Sequence, residues 1–182
     1  MKRVLIPLAP GFEEVEALTV VDILRRAGAE VTLAGTVPGA ITGGNKIAVL
    51  ADTGLDNAFE ADYDMIVLPG GAVGTENLKK DARVKKAVER LNQKGRFVTA
   101  ICAAPTVLSA FGVSKGKTIT SHPSVRTEFK TEKLTEDRVV TDGNIITSQG
   151  PGTAMEFAFR LVEALFGPEK VTEVNKGVLA RL

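Results

Sequence analysis

Short apolar runs alternate along this chain with longer stretches in which apolar side chains return every three or four residues. That is the pattern of buried strands separated by amphipathic helices. Residues 4–9 form a continuous apolar run closed by Pro10-Gly11, which predicts a first buried strand. Residues 14–27 then follow a helical period and stop at Gly28, a residue suited to the C′ position. Ala17, Val20, Val21 and Leu24 make the apolar arc of that helix, and Glu14, Asp22, Arg25 and Arg26 its wet side. A second strand at 30–34 completes a strand, helix and strand unit, so the sheet is expected to be at least partly parallel.

Further on, residues 39–51 alternate weakly about Gly43-Gly44 and predict an irregular hairpin outside the main sheet. A third buried strand at 64–68 runs directly into Pro69-Gly70-Gly71, with Gly74 close behind. Residues 81–94 predict an exposed amphipathic helix with Val84, Val88 and Leu91 inward, stopped at Gly95. Phe97, Val98 and Ile101 begin another strand; helix formers take over after Cys102, with Pro105 in the first turn. A short strand at 118–120 delivers Ser121-His122-Pro123, and 139–148 reads as two short strands about Asp142-Gly143-Asn144. Thr153 and Glu156 stand at capping-box spacing ahead of a core helix whose Phe157, Leu161 and Leu165 share a face; Gly167 ends it and Pro168 opens a last short helix.

Composition narrows this α/β pattern to a single domain over residues 1–182, long enough for a substantial core. A net charge of +1 with acids and bases interspersed offers no basic face for nucleic acid. The first apolar run is too short for a signal-peptide core, and no run approaches membrane-spanning length, so no membrane partner and a cytoplasmic location are expected. One cysteine and one histidine make neither an internal disulfide nor a zinc cluster, so no metal is expected.

That lone cysteine stands where a strand turns directly into a helix, a sharp corner that demands small neighbours, and Ala100 and Ala104 supply them. The pattern is that of a nucleophile elbow written small-x-Cys-x-small. A helix N-terminus aimed at the sulfur favours the thiolate, so Cys102 is expected to be largely ionised at neutral pH. A buried cysteine packing as a small hydrophobe is the plainer alternative, but the corner context favours reactivity. On the first helix, a phase of about 100° per residue places Glu16 between Ile23 and Ala27, inside the core-facing arc. A carboxyl group there holds its proton more tightly and serves as an acid or base near neutral pH; alternatively, it complements the helix dipole from solvent. The glycines after 64–68 either present backbone N–H groups to a ligand oxygen or make a tight turn. His122, held extended by the proline that follows, is a pocket residue or an ordinary surface histidine.

Taken in order, the strand-end Pro-Gly-Gly, the Ala-Ile-Cys-Ala-Ala-Pro corner, Ser-His-Pro and Ser-Gln-Gly-Pro-Gly-Thr resemble the DJ-1/ThiJ/PfpI superfamily, and within it the YajL-like DJ-1 subfamily. The resemblance begins at Pro10-Gly11-Phe12-Glu13-Glu14-Val15-Glu16 and covers essentially the whole chain. It implies a flavodoxin-like three-layer α/β sandwich with a mostly parallel central sheet, and a homodimer, which the apolar surplus of the first helix also suggests. It also implies that Cys102 is the reactive cysteine, Glu16 the glutamate against it and His122 the histidine of the pocket. Gly71 and Ala103 would be the backbone donors, with Gly70, Pro123, Gly150 and Pro151 lining the pocket. Two departures stand out: arginines of the DJ-1 subfamily align with Asn45 and Gln149, implying a weaker anion site, and Ala103 replaces the histidine that follows the nucleophile in PfpI-type proteases.

The activity implied is a glyoxalase or deglycase type, without cofactor, acting on methylglyoxal and similar 2-oxoaldehydes. Its chemistry suits a cysteine nucleophile and a carboxyl base. A redox-sensing stress protein or chaperone whose Cys102 is oxidised to sulfinate would use the same residues; turnover separates the two, because sulfinate formation is stoichiometric.

Overall fold

Both faces of the first strand are covered, which is why its sequence is apolar throughout instead of alternating. Val4, Ile6 and Leu8 pack into one core, and Leu5 into the other. The computed structural model describes residues 1–182. The chain runs β1 (Arg3–Leu8), α1 (Glu14–Arg26), β2 (Glu30–Gly35), β3 (Ala40–Thr42), β4 (Ala48–Leu50), β5 (Thr53–Gly54), α2 (Leu55–Ala58) and β6 (Met65–Leu68). It continues through α3 (Ala72–Lys80), α4 (Ala82–Gln93), β7 (Phe97–Ile101), α5 (Pro105–Ala110), β8 (Thr118–Ile119) and β9 (Lys133–Leu134). β10 (Val139–Asp142), β11 (Ile145–Ser148), α6 (Ala154–Phe166) and α7 (Pro168–Val178) complete it.

Seven strands form the central sheet in the order β10-β11-β7-β6-β1-β2-β5, all parallel except β10. Residues of α1 and α6 cover one face and residues of α4 and α5 the other, giving the three-layer α/β sandwich expected from the sequence. The hairpin of β3 and β4 stands apart from the sheet, as its weak alternation predicts. No helix is long and apolar enough to cross a membrane.

Local pattern held at one place and misled at three. The strand expected at 118–120 is present as β8, which pairs with β9 in a separate ribbon. α3 follows Gly71 without a break where only a glycine turn was expected, because Gly74 interrupts the apolar period. A Cβ at Gly74 would lie 2.7 Å from Phe12 Cα, so its glycine serves close packing of α3 on the turn after β1. The capping box does not form: Thr153 Oγ1 bonds Gly150 and Ser148, while Glu156 pairs with Arg138. Finally, Glu14 is buried, not wet. Asn45 and Ile47 of the β3–β4 hairpin donate their N–H groups to its Oε1 at 2.8 and 3.2 Å. Burial opposes its ionisation, but hydrogen bonds from its own N–H, Asn45 and Ile47 hold its carboxyl below the ordinary value.

Candidate active site

The strand order reverses beside β1: the chain moves outward through β2 to β5, then returns to place β6 on the other side of β1. Open α/β sheets bind ligands outside the carboxyl ends of strands at such a reversal. Here β1, β6 and β7 each deliver one part of a single constellation.

From β7 comes Cys102, whose φ of +66° lies in the left-handed region that a side chain rarely adopts. Its N–H donates to Ser148 O at 2.9 Å and its carbonyl accepts from His122 N–H at 2.8 Å. Both peptide groups of the corner are therefore tied to neighbouring segments, which holds the strained conformation. Ala100 and Ala104 are wholly buried on either side, as the corner requires, and the cysteine itself is half-buried.

From β6 come the two glycines. Gly71 has φ +89°, and a side chain there would collide with Gly11 O. Its N–H and that of Ala103 face the sulfur of Cys102 and favour its anion, and neither has a backbone acceptor elsewhere. Gly70 donates its N–H to Glu16 Oε2 at 2.8 Å.

Glu16 follows β1, in the first turn of α1, and is fully buried. Its carboxyl group lies beside the Cys102 side chain, close enough for each to shift the other's ionisation, and its Oε1 has no hydrogen-bond partner. Burial pushes Glu16 up to about 7, against the lowering effect of the thiol and of Gly70 N–H. Burial first, and then the charge and hydrogen bond of Glu16, push the Cys102 thiol up to about 12, against the N–H groups of Gly71 and Ala103. The helix N-terminus therefore does not by itself make a thiolate, as the sequence suggested: α5 is only six residues long, and burial outweighs it. The two upward influences from Glu16 exist only while it is ionised. The carboxyl therefore ionises before the thiol, and above neutrality the pair keeps its remaining proton on sulfur.

His122 sits beside this pair without a hydrogen bond to either side chain. Ser124 N–H donates to its Nδ1 at 3.3 Å and Ser124 Oγ lies 2.7 Å away, so Nδ1 is the acceptor and the neutral ring carries its proton on Nε2. A cavity of about 410 Å³ opens in front of the sulfur, and Gly71, Cys102, Ala103, His122 and Pro151 line it. Gly70, Pro123 and Gly150 do not. Gly70 is buried behind the Glu16–Cys102 pair, Pro123 opens an exposed turn, and Gly150 lies against the edge of the His122 ring.

Sequence reasoning missed the rest of the wall, which includes Glu13, Thr75, Glu76, Lys79 and Glu128. The helical spacing of Ala72, Thr75, Glu76 and Lys79 was the signal that could have found it. Asn45, at one position aligned with a family arginine, donates to Glu13 and Glu14, and Gln149 donates to Glu136 O at 2.9 Å. A larger hollow of about 730 Å³ between β10, α6 and α7 contains none of these groups and no nucleophile.

Comparison with known proteins bears on the same residues. The family model described as DJ-1/PfpI matches residues 2–164. The chain is 44% identical to Protein dj-1beta of Drosophila melanogaster over 98% of its own length and 97% of that protein's. It is 35% identical to the Glutathione-independent glyoxalase DJR-1.2 of Caenorhabditis elegans, covering 96% and 95% of the two chains. The crystal structure of Drosophila melanogaster DJ-1beta superposes with a TM-score of 0.96 at 42% identity, covering 100% of this chain and 99% of that one.

Proposed function

The chain belongs to the DJ-1/PfpI family, and from that premise we propose that it is a glyoxalase-type enzyme. It acts without cofactor on methylglyoxal and related 2-oxoaldehydes. The observation that carries this reading is the pairing of a nucleophile on a strained corner with a fully buried carboxyl group that titrates near neutrality. The relative named as a glyoxalase supports the reaction class.

In this reading Cys102 sulfur adds to the aldehyde carbon, forming a hemithioacetal, and the alkoxide is met by the N–H groups of Gly71 and Ala103. Glu16 moves the proton from that carbon to its neighbour through an enediol, with the Nε2–H of His122 assisting at the second oxygen. The aldehyde carbon is thereby oxidised to a thioester and the ketone reduced to an alcohol, with no external electron acceptor. Water then releases the 2-hydroxy acid and restores the thiol. Cytoplasmic conditions, which keep a lone thiol reduced, suit this chemistry. Lactate should accumulate well beyond one equivalent from methylglyoxal without glutathione, and Cys102→Ser should produce none. A yield of one equivalent or less would defeat the enzyme reading and leave stoichiometric oxidation of Cys102 by peroxide as the chemistry to measure.

We extend the proposal to a homodimer. Val15 and Leu18 stand exposed on α1, and Ile47 and Leu50 on the neighbouring hairpin, with nothing in the protomer to cover them. Light scattering at micromolar concentration should give twice the chain mass; the mass of one chain would overturn this.

A further inference from the structure

The cavity in front of Cys102 carries a polar group that the proposed chemistry does not use. Thr75, in the first turn of α3, lines it with 2% of its surface exposed, and its Oγ1 has no hydrogen-bond partner. Its backbone N–H is occupied by Gly71 O at 2.8 Å, so only the hydroxyl is free. A hydroxyl removed from water and left unpaired lowers stability, whereas valine would fill the same space without that cost. The group is explained if a ligand completes it.

Charge around the same cavity narrows what that ligand is. Glu13, Glu76 and Glu128 line the wall, and Lys79 is the single cation there. Its ammonium is held by Glu76 Oε1 at 2.7 Å and Glu128 Oε2 at 3.2 Å, across the gap between α3 and the segment after His122. Three carboxylates thus face one ammonium that is already paired, and low-dielectric walls focus such a field into the cleft. Resting on the reading of Cys102 as a nucleophile toward 2-oxoaldehydes, we propose that this cavity selects uncharged substrates. The oxygen of the second carbonyl accepts a hydrogen bond from Thr75 Oγ1, and molecules bearing a carboxylate or phosphate are turned away. Thr75 is then a specificity-determining residue for the reaction.

Alkylation of Cys102 tests both halves whether or not the protein turns over. Neutral iodoacetamide and anionic iodoacetate are compared with free cysteine at the same pH. At low salt the preference of Cys102 for iodoacetamide should exceed that of the free thiol by about tenfold. It should shrink in a Glu76→Gln/Glu128→Gln protein and at high salt. Methylglyoxal should protect Cys102 in this assay. Thr75→Val should raise the half-protecting concentration by about tenfold, and Thr75→Ser, which keeps the hydroxyl, should reverse most of that loss. A preference equal to that of free cysteine overturns the charge selection, and an unchanged half-protecting concentration in Thr75→Val overturns the role of the hydroxyl. Absence of protection in the parent would sink the 2-oxoaldehyde reading itself, while the ratio of the two reagents would still decide whether the cavity excludes anions.

Discussion

Glu16→Gln is expected to lower turnover of methylglyoxal by about a thousandfold, within the range that a positioned acid or base contributes, while Cys102 remains open to alkylation. The amide keeps the shape of the carboxyl group and an oxygen for Gly70 N–H, but it cannot carry a proton between carbons. In the parent, the alkylation rate should keep rising well above about pH 8.5, because burial and the ionised Glu16 hold the thiol up at about 12. A parental midpoint at or below about 8.5, the ordinary value for a cysteine, would mean that neither burial nor Glu16 holds the proton on sulfur. Turnover by Glu16→Gln at the parental rate would eliminate the proposed base and leave His122 or water to move the proton.

The same carboxyl group leaves a mark on stability. Its value is raised from 4.5 to about 7 in the folded protein, so between those values the native state holds a proton that the unfolded chain has released. Parental stability therefore falls as pH rises through that window, by up to about 3 kcal/mol. Glu16→Leu lacks the ionisation, so relative to the parent it should gain stability at pH 8 compared with pH 4. Gly70 N–H loses its acceptor at both pH values, so the difference between them isolates the charge. Denaturation showing the same gap at both would contradict the buried acid.

Gly70→Ala is the second large effect expected. An added Cβ would lie 2.6 Å from Cys102 Cβ, 2.6 Å from Glu16 Oε2 and 2.9 Å from Ile101 O. Two of those atoms belong to the Glu16–Cys102 pair, and the third is backbone of β7, so no flexible surface group can yield. Forced overpacking of this kind costs about 1–3 kcal/mol. In a chain of this size, 2 kcal/mol is roughly 4–8 °C in melting temperature. Displacing the nucleophile and its partner by a fraction of an ångström should also lower turnover by about a hundredfold. Gly177→Ala, in α7 with nothing within 4 Å of the new methyl group, is the control and should be neutral or slightly stabilising. A Gly70→Ala protein that melts and turns over like the parent would show that the contact is not as close as the structure has it.

Much of the site was legible because its signals are local. The corner at Cys102 is written in a strand period, two alanines and a first-turn proline, all within ten residues. Glu16 is placed inward by helical phase alone, and the structure finds it fully buried. What lay outside that range was misread. Glu14 has the phase of a wet residue, yet the hairpin of β3 and β4 folds over it and supplies the donors that keep it ionised. The dipole of α5 argued for a thiolate, but the proton balance at sulfur depends on burial and on a carboxyl group 86 residues earlier in the chain. Thr153 and Glu156 had capping spacing, yet Thr153 Oγ1 bonds Gly150 three residues back and Glu156 pairs with Arg138 eighteen residues back. The sequence by itself determined the alternation of strands and helices, the strained cysteine and its inward-facing glutamate, because period and turn chemistry act over a few residues. Only the tertiary structure decided the raised proton affinities of Glu16 and Cys102, the unpaired Thr75 hydroxyl and the acidic wall around Lys79, because desolvation and charge are set by whichever segment packs opposite.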